Sequence, residues 1–191
     1  FEMLARGETE GTFQLNGDGM TRNLIELKPN TIYDINVMVA LYRPGPMDNI
    51  REYIAWKHGS RPITYLHPKM KNFLDTTYGV LVYQDDLLMT AIEVAGYSWG
   101  EIDKFRKAVG KKIPEEMRKQ LIIFVKGCET HGGMKKDKAE ALWKLFEPFQ
   151  GYGFNKAHAA SYGYIAYITA YLKANFPAIY MSAVLTAESG D

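Results

Sequence analysis

Residues 151–177 read "GYGFNKAHAASYGYIAYITAYLKANFP", and the small residues of this run constrain the fold more than any other feature. Ala159, Gly163, Ala166, Ala170 and Ala174 recur at the spacing of one face of an α-helix. A flat side of that kind lets a second helix approach closely, so the chain is expected to pack helix on helix. Other residues of the stretch do not follow from packing. Asn155 and Lys156 stand at the helix start, where unbonded N–H groups and the positive end of the macrodipole attract anions, phosphate above all. His158 and Tyr162 are four apart and so stack on a different face. Tyr162 offers a ring on which a base can stack. The same pair also fits a locally capping histidine and a core tyrosine.

Start and stop signals mark further helices. Asp34–Leu41 is apolar and stops before "RPGPMD", where Arg43 reads primarily as part of a rigid turn. Asp48–Lys57 opens on an aspartate suited to capping. Ser98 and Glu101 have capping-box spacing and precede the apolar stripe Ile102, Phe105, Val109. Pro114, Glu115 and Glu116 make a good helix start, and Met117, Leu121, Phe124, Val125 and Cys128 keep the period until Gly132 and Gly133. Ala139, Leu142, Trp143, Phe146 and Phe149 share a side, interrupted near Pro148, and Pro177 opens a last helix through Leu185. Two runs read as extended: "TFQL" (Thr12–Leu15) and, more strongly, "YGVLVYQ" (Tyr78–Gln84). The expected fold is mainly α, a multi-helix domain with at most one or two short β-strands.

With 191 residues, 47% apolar and 24% charged, the chain can bury a sizeable core and is neither disordered nor collagen-like. The net charge of +1 averages over local patches and says little about partners. Cys128 is the single cysteine, so no internal disulfide forms. No apolar run has the length of a membrane span, and no membrane partner is expected. The chain opens on Phe1 rather than methionine, which points to a piece of something longer.

A second candidate for chemistry is "DKFRKAVGKKIPEEMRK", Asp103–Lys119. From Lys104 onward it holds seven basic residues (Lys104, Arg106, Lys107, Lys111, Lys112, Arg118, Lys119) against two acids. Arg106 and Lys107 lie off the apolar stripe and should face outward, as suits a phosphate backbone or a triphosphate. A solvated charged face has the same pattern. The segment is not a P-loop, lacking the upstream glycine and the Ser/Thr after the lysine. Asp85 and Asp86 are either paired catalytic carboxylates or first-turn aspartates of a helix. His58, His67, His131 and His158 show no metal-ligand spacing, and no nucleophile elbow occurs.

Four blocks occur in order: "VALYRPGPM", "YGVLVYQDD", "AGYSWGEIDKFRKAVGKK" and "GYGFNKAHAASYGYIAYITAYLKANFPAIYMSAVLT". Together they resemble the fingers region of the C-family DNA polymerases, the bacterial replicative DNA polymerase III alpha subunits. "FQLNGDGM" resembles a neighbouring family segment. The resemblance spans essentially the whole chain. It divides the chain into a palm-proximal segment, 1–47, and a helical fingers domain, 48–191, or one continuous domain over 1–191.

The resemblance implies a fingers part of a DNA-directed DNA polymerase for chromosome replication, cytoplasmic and bacterial. Such fingers close over the incoming deoxynucleoside triphosphate and the primer–template end. His158 and Tyr162 match the residues at the nascent base pair and triphosphate, with Lys156 beside them. Arg106 and Lys107 match a basic pair that reaches nucleotide phosphates or template. Lysine replaces the second arginine there, which keeps the charge and loses the planar fork. Lys104, Lys111, Lys112 and Arg43 are assigned to DNA. "YQDD" departs from the commoner "YQE", and no role follows for Asp85. The family's Mg²⁺ ions are held by palm aspartates upstream of this chain, so no catalytic or metal residue is expected here and the segment alone should be inactive. Further implied partners are the rest of the polymerase chain, the sliding clamp and other replisome subunits. Two other classes compete: a free-standing, non-catalytic helical nucleic-acid-binding module, and a purely structural helical domain in which Lys156 and Arg106 are solvated surface.

Overall fold

A computed structural model describes residues 1–111, 113–146 and 153–189, with only the backbone of Lys111. Among the described residues there are eleven α-helices and three short 3₁₀ turns, with no β-sheet. The fold is mainly α. The chain forms two compact units, Phe1–Tyr42 with Ala157–Asp191, and Arg43–Lys156.

The first unit holds α1 (Glu2–Ala5), α2 (Asp18–Leu27), α3 (Ile32–Leu41), α10 (Lys156–Asn175, from its second residue) and α11 (Pro177–Glu188). Thr31 and Asp34 form a capping box at α3: Asp34 N–H donates to Thr31 Oγ1 at 3.3 Å, and Thr31 N–H to Asp34 Oδ2 at 3.0 Å. Asp34 is therefore the third residue of that helix, not its first. Ala159, Gly163, Ala166 and Ala170 are buried, as their spacing predicts. A Cβ on Gly163 would fall on Asn36 Oδ1, so the closest approach of α3 to α10 requires glycine. Ala174 is exposed, because spacing shows which residues share a face but not how far a partner covers it.

The segment after α1 is tied to the two last helices. Lys173 Nζ donates to the carbonyls of Glu8 and Glu10 at 3.0 and 2.6 Å, and Tyr180 Oη to that of Gly11 at 2.7 Å. "TFQL" lies within this segment and is a turn rather than extended. Gln14 has φ +61°, left-handed, and Phe13 N–H donates to Thr169 Oγ1 at 3.0 Å instead of to a neighbouring strand. Helix α11 buries none of its described residues, and α10, α11 and the Phe176 that joins them expose Tyr164, Ile165, Tyr171, Phe176, Ile179 and Leu185.

The second unit contains α4 (Asn49–Lys57), α5 (Lys71–Leu74), α6 (Gln84–Glu93), α7 (Trp99–Lys111), α8 (Pro114–Thr130) and α9 (Lys136–Lys144). Its core centres on Phe105, Phe124, Trp143 and Phe146, whose ring centroids lie 5.1 to 6.5 Å apart. Aromatic edges and faces at these distances add to the hydrophobic gain of burial. Asp48 makes no side-chain cap bond: α4 is entered through a 3₁₀ turn, Pro46–Asp48, and Asp48 is already helical at φ −62°, ψ −26°. The expected α9 positions Pro148 and Phe149 lie outside the described residues.

The strand-like run is the other local departure. Tyr78 and Gly79 turn in the left-handed region at φ +54° and +84°. Val80, Leu81, Val82 and Tyr83 then run extended and buried, with a single parallel bridge from Tyr83 to Phe154. Burial on every side selects β-branched and aromatic residues here without a sheet to join.

Candidate nucleotide and nucleic-acid interface

The end of this buried run organises the second unit's polar chemistry. Asp86 Oδ2 accepts from the backbone N–H of Val82 at 2.9 Å and of Tyr83 at 2.8 Å, capping α6. Burial pushes the Asp86 carboxyl up to about 6, against the opposing pull of those two hydrogen bonds. Asp85 Oδ2 faces the other way and accepts the backbone N–H of Lys156 at 3.0 Å, the first residue of α10. The adjacent aspartates thus serve two helices, and they are not arranged as an acid–base pair.

Just before them, Gln84 N–H donates to the Phe154 carbonyl at 2.9 Å. A Cβ on Gly153 would stand 3.1 Å from Gln84 Cβ, so this loop lies against Gln84 only without a side chain there. Two sequence-predicted cations meet at the same place. The Arg43 guanidinium sits 4.6 Å above the Phe154 ring, and the Lys156 ammonium 5.6 Å from the Tyr83 ring. Partial burial lowers the Arg43 pKa from its ordinary value. A Cβ built on Gly110, near the end of α7, would come 4.0 Å from Gln84 Nε2. Arg43, Lys156 and the C-terminal end of α7 therefore gather around Tyr83–Asp86.

Helix α7 presents its faces as the sequence predicts. Ile102, Phe105 and Val109 are buried, while Lys104, Arg106 and Lys107 are exposed. Asp103 receives both neighbouring cations: Arg106 Nη2 at 2.8 Å on one oxygen and Lys107 Nζ at 2.6 Å on the other. Lys107, and then Arg106, hold the Asp103 carboxyl below its ordinary value. These pairs are exposed and individually weak, so either cation can turn to a stronger anion. Lys119 is similarly paired with Glu115 at 3.0 Å. Lys112 and the Lys111 side chain lie outside the described residues.

In the first unit, the His158 and Tyr162 rings stand 4.1 Å apart. Tyr162 is half-buried with Phe13 5.4 Å away, whereas His158 is exposed. Tyr162 thus packs against Phe13, and His158 stands at the surface beside it.

Sequence reasoning missed Gln84 and Phe154, and it missed the partner of Asp85. That partnership joins positions some 71 apart, and nothing local signals it. Among the described residues no group of three His, Cys, Asp or Glu converges as a metal site, and the two aspartates that could begin one are occupied as caps. Cys128 is buried and free, its thiol pushed up to about 12 by burial. A cleft of about 420 Å³ between Trp56, Leu66, Leu81 and Leu145 is lined by none of the candidate residues.

The chain belongs to the finger-domain family of the bacterial DNA polymerase III alpha subunit, whose family model matches residues 1–132. Relatives extend the likeness past that point. A DNA polymerase III subunit alpha of Thermus aquaticus is 46% identical over 196 aligned residues, covering 100% of this chain. Its counterparts in Halalkalibacterium halodurans and Rickettsia conorii are each 47% identical, covering 96% and 98% of this chain. The chain spans 16% of the length of each of these relatives.

Proposed function

We propose that this chain is the fingers part of a DNA-directed DNA polymerase that replicates the chromosome in the cytoplasm. It binds the incoming deoxynucleoside triphosphate and the primer–template end, while residues outside these 191 carry out nucleotidyl transfer. The meeting of Arg43 and Lys156 at Phe154 and Tyr83 is the observation that supports this most. Fixed positive charge of this kind stabilises the charge that develops on a triphosphate and holds the reacting phosphorus in place.

Each residue has a distinct task in this reading. Lys156, Arg106 and Lys107 neutralise the triphosphate, the last two by exchanging Asp103 for phosphate oxygens. His158 and Tyr162 contact the nucleotide, Tyr162 as a stacking surface backed by Phe13. Lys104, Lys111, Lys112 and Arg43 hold the DNA backbone. Mg²⁺ belongs to the full enzyme, with ligands outside this chain, and the segment alone is inactive. Residues 1–47 lead in from the palm, and 48–191 form the fingers proper.

The exposed apolar faces of α10 and α11 support a large partner, the rest of the polymerase chain. The sliding clamp and other replisome subunits complete the assembly. The test is primer extension by the full-length enzyme with Tyr162→Ala or His158→Ala. Loss of one stacking surface is expected to raise the nucleotide KM by roughly tenfold, with primer–template affinity little changed. Unaltered nucleotide dependence in both variants would overturn the assignment.

A further inference from the structure

Asp85 takes no part in the proposed nucleotide contacts, yet its carboxylate holds the first residue of α10. It accepts the Lys156 backbone N–H at 3.0 Å, while the flanking bonds fix both ends of the contact. Gln84 N–H reaches Phe154 O at 2.9 Å on one side, and Asp86 locks Val82 and Tyr83 on the other at 2.9 and 2.8 Å. The Lys156 ammonium lies 5.6 Å from the Tyr83 ring. Backbone and side chain of Lys156 thus both meet one short segment, Tyr83–Asp85.

We infer that Asp85 is a positioning residue for nucleotide binding, acting through Lys156. Its carboxylate pins the start of α10 so that the ammonium is presented in one orientation to the triphosphate. This rests on the proposed role of Lys156 in that binding. A free helix start frays, and a long lysine side chain on a frayed turn samples many positions. A cap at the first residue removes that freedom in advance of binding. The opposite effect is also physically possible, since a carboxylate beside a phosphate site repels the ligand. The two predict shifts of opposite sign.

The experiment uses the full-length polymerase with Asp85→Ala, Asp85→Asn and Lys156→Ala, each assayed for nucleotide KM, kcat and primer–template affinity. Asp85→Ala is expected to raise the nucleotide KM by about tenfold, the scale of one missing charge-assisted hydrogen bond, with DNA affinity and kcat changed by less than about twofold. Asp85→Asn keeps an acceptor oxygen and should restore most of the loss. It also decides the matter if the alanine variant does not fold. In hydrogen exchange, the Lys156 amide should lose protection in Asp85→Ala and keep it in Asp85→Asn. A KM that falls or stays constant in Asp85→Ala, or one raised equally in both variants, overturns the inference. If Lys156→Ala itself leaves the nucleotide KM unchanged, the reading of Lys156 fails instead.

Discussion

Asp85 and Asp86 show how one side-chain type does two jobs at neighbouring positions. Asp86 is buried, and its pKa rises from 3.8 to about 6, chiefly through desolvation. Between those values the folded chain binds more protons at Asp86 than the unfolded chain does. Its contribution to stability is therefore present below about pH 4 and lost as pH rises through about 6. At about 1.36 kcal/mol per pH unit, the whole effect is roughly 3 kcal/mol. Asp86→Asn keeps a cap acceptor and removes the titration. Urea unfolding of wild type and Asp86→Asn should then give stabilities whose difference changes by a few kcal/mol between pH 4 and 6.5. A constant difference would show that Asp86 does not titrate in that range. Neither role of the two aspartates was decided by sequence: "DD" after an apolar run fits caps and catalytic pairs alike. The choice depends on where Lys156 falls in space.

Among the elements, α10 is the most informative. Its small face was legible because a row of Ala and Gly at helical spacing has few other uses, and four of the five residues are buried. Gly163 carries the tightest contact, on Asn36. Gly163→Ala should destabilise the chain by about 1–3 kcal/mol through overpacking, even though alanine is the better helix former. Ala174→Ser, on the exposed end of the same row, should stay within about 0.5 kcal/mol of wild type. Thermal or denaturant unfolding of both variants checks the contrast. Equal effects would mean that α3 and α10 are not in close contact. Most helix ends were also readable, since capping residues and prolines act locally: Pro114 and Pro177 each open a helix. The two extended candidates misled in different ways: Thr12–Leu15 is a turn with Gln14 left-handed, and Val80–Tyr83 is buried without joining a sheet.

For the molecule as a whole, the proposed function draws on residues far apart in sequence. Arg43 and Lys156 were each visible as candidates, because charge beside glycine and helix ends is unusual. Their gathering around Tyr83–Asp86 was not, since it depends on a single bridge and a few hydrogen bonds between residues 82–86 and 153–156. Near-zero net charge hid the local basic character. In the full polymerase, replacing Lys104 and Arg43 with alanine should weaken primer–template binding. The slope of log affinity against log salt should become shallower by about one for each phosphate no longer neutralised. An unchanged slope would remove both residues from the DNA interface.

The most direct test of the fingers proposal separates binding from chemistry. The full-length enzyme is placed on a primer–template whose primer ends in a dideoxynucleotide, and the next correct nucleotide is titrated with Mg²⁺ present. Lys156→Ala and Tyr162→Ala are each expected to weaken nucleotide binding by roughly tenfold, with the affinity for the primer–template itself unchanged. Nucleotide affinity equal to wild type in both variants, or a loss confined to DNA binding, would contradict it.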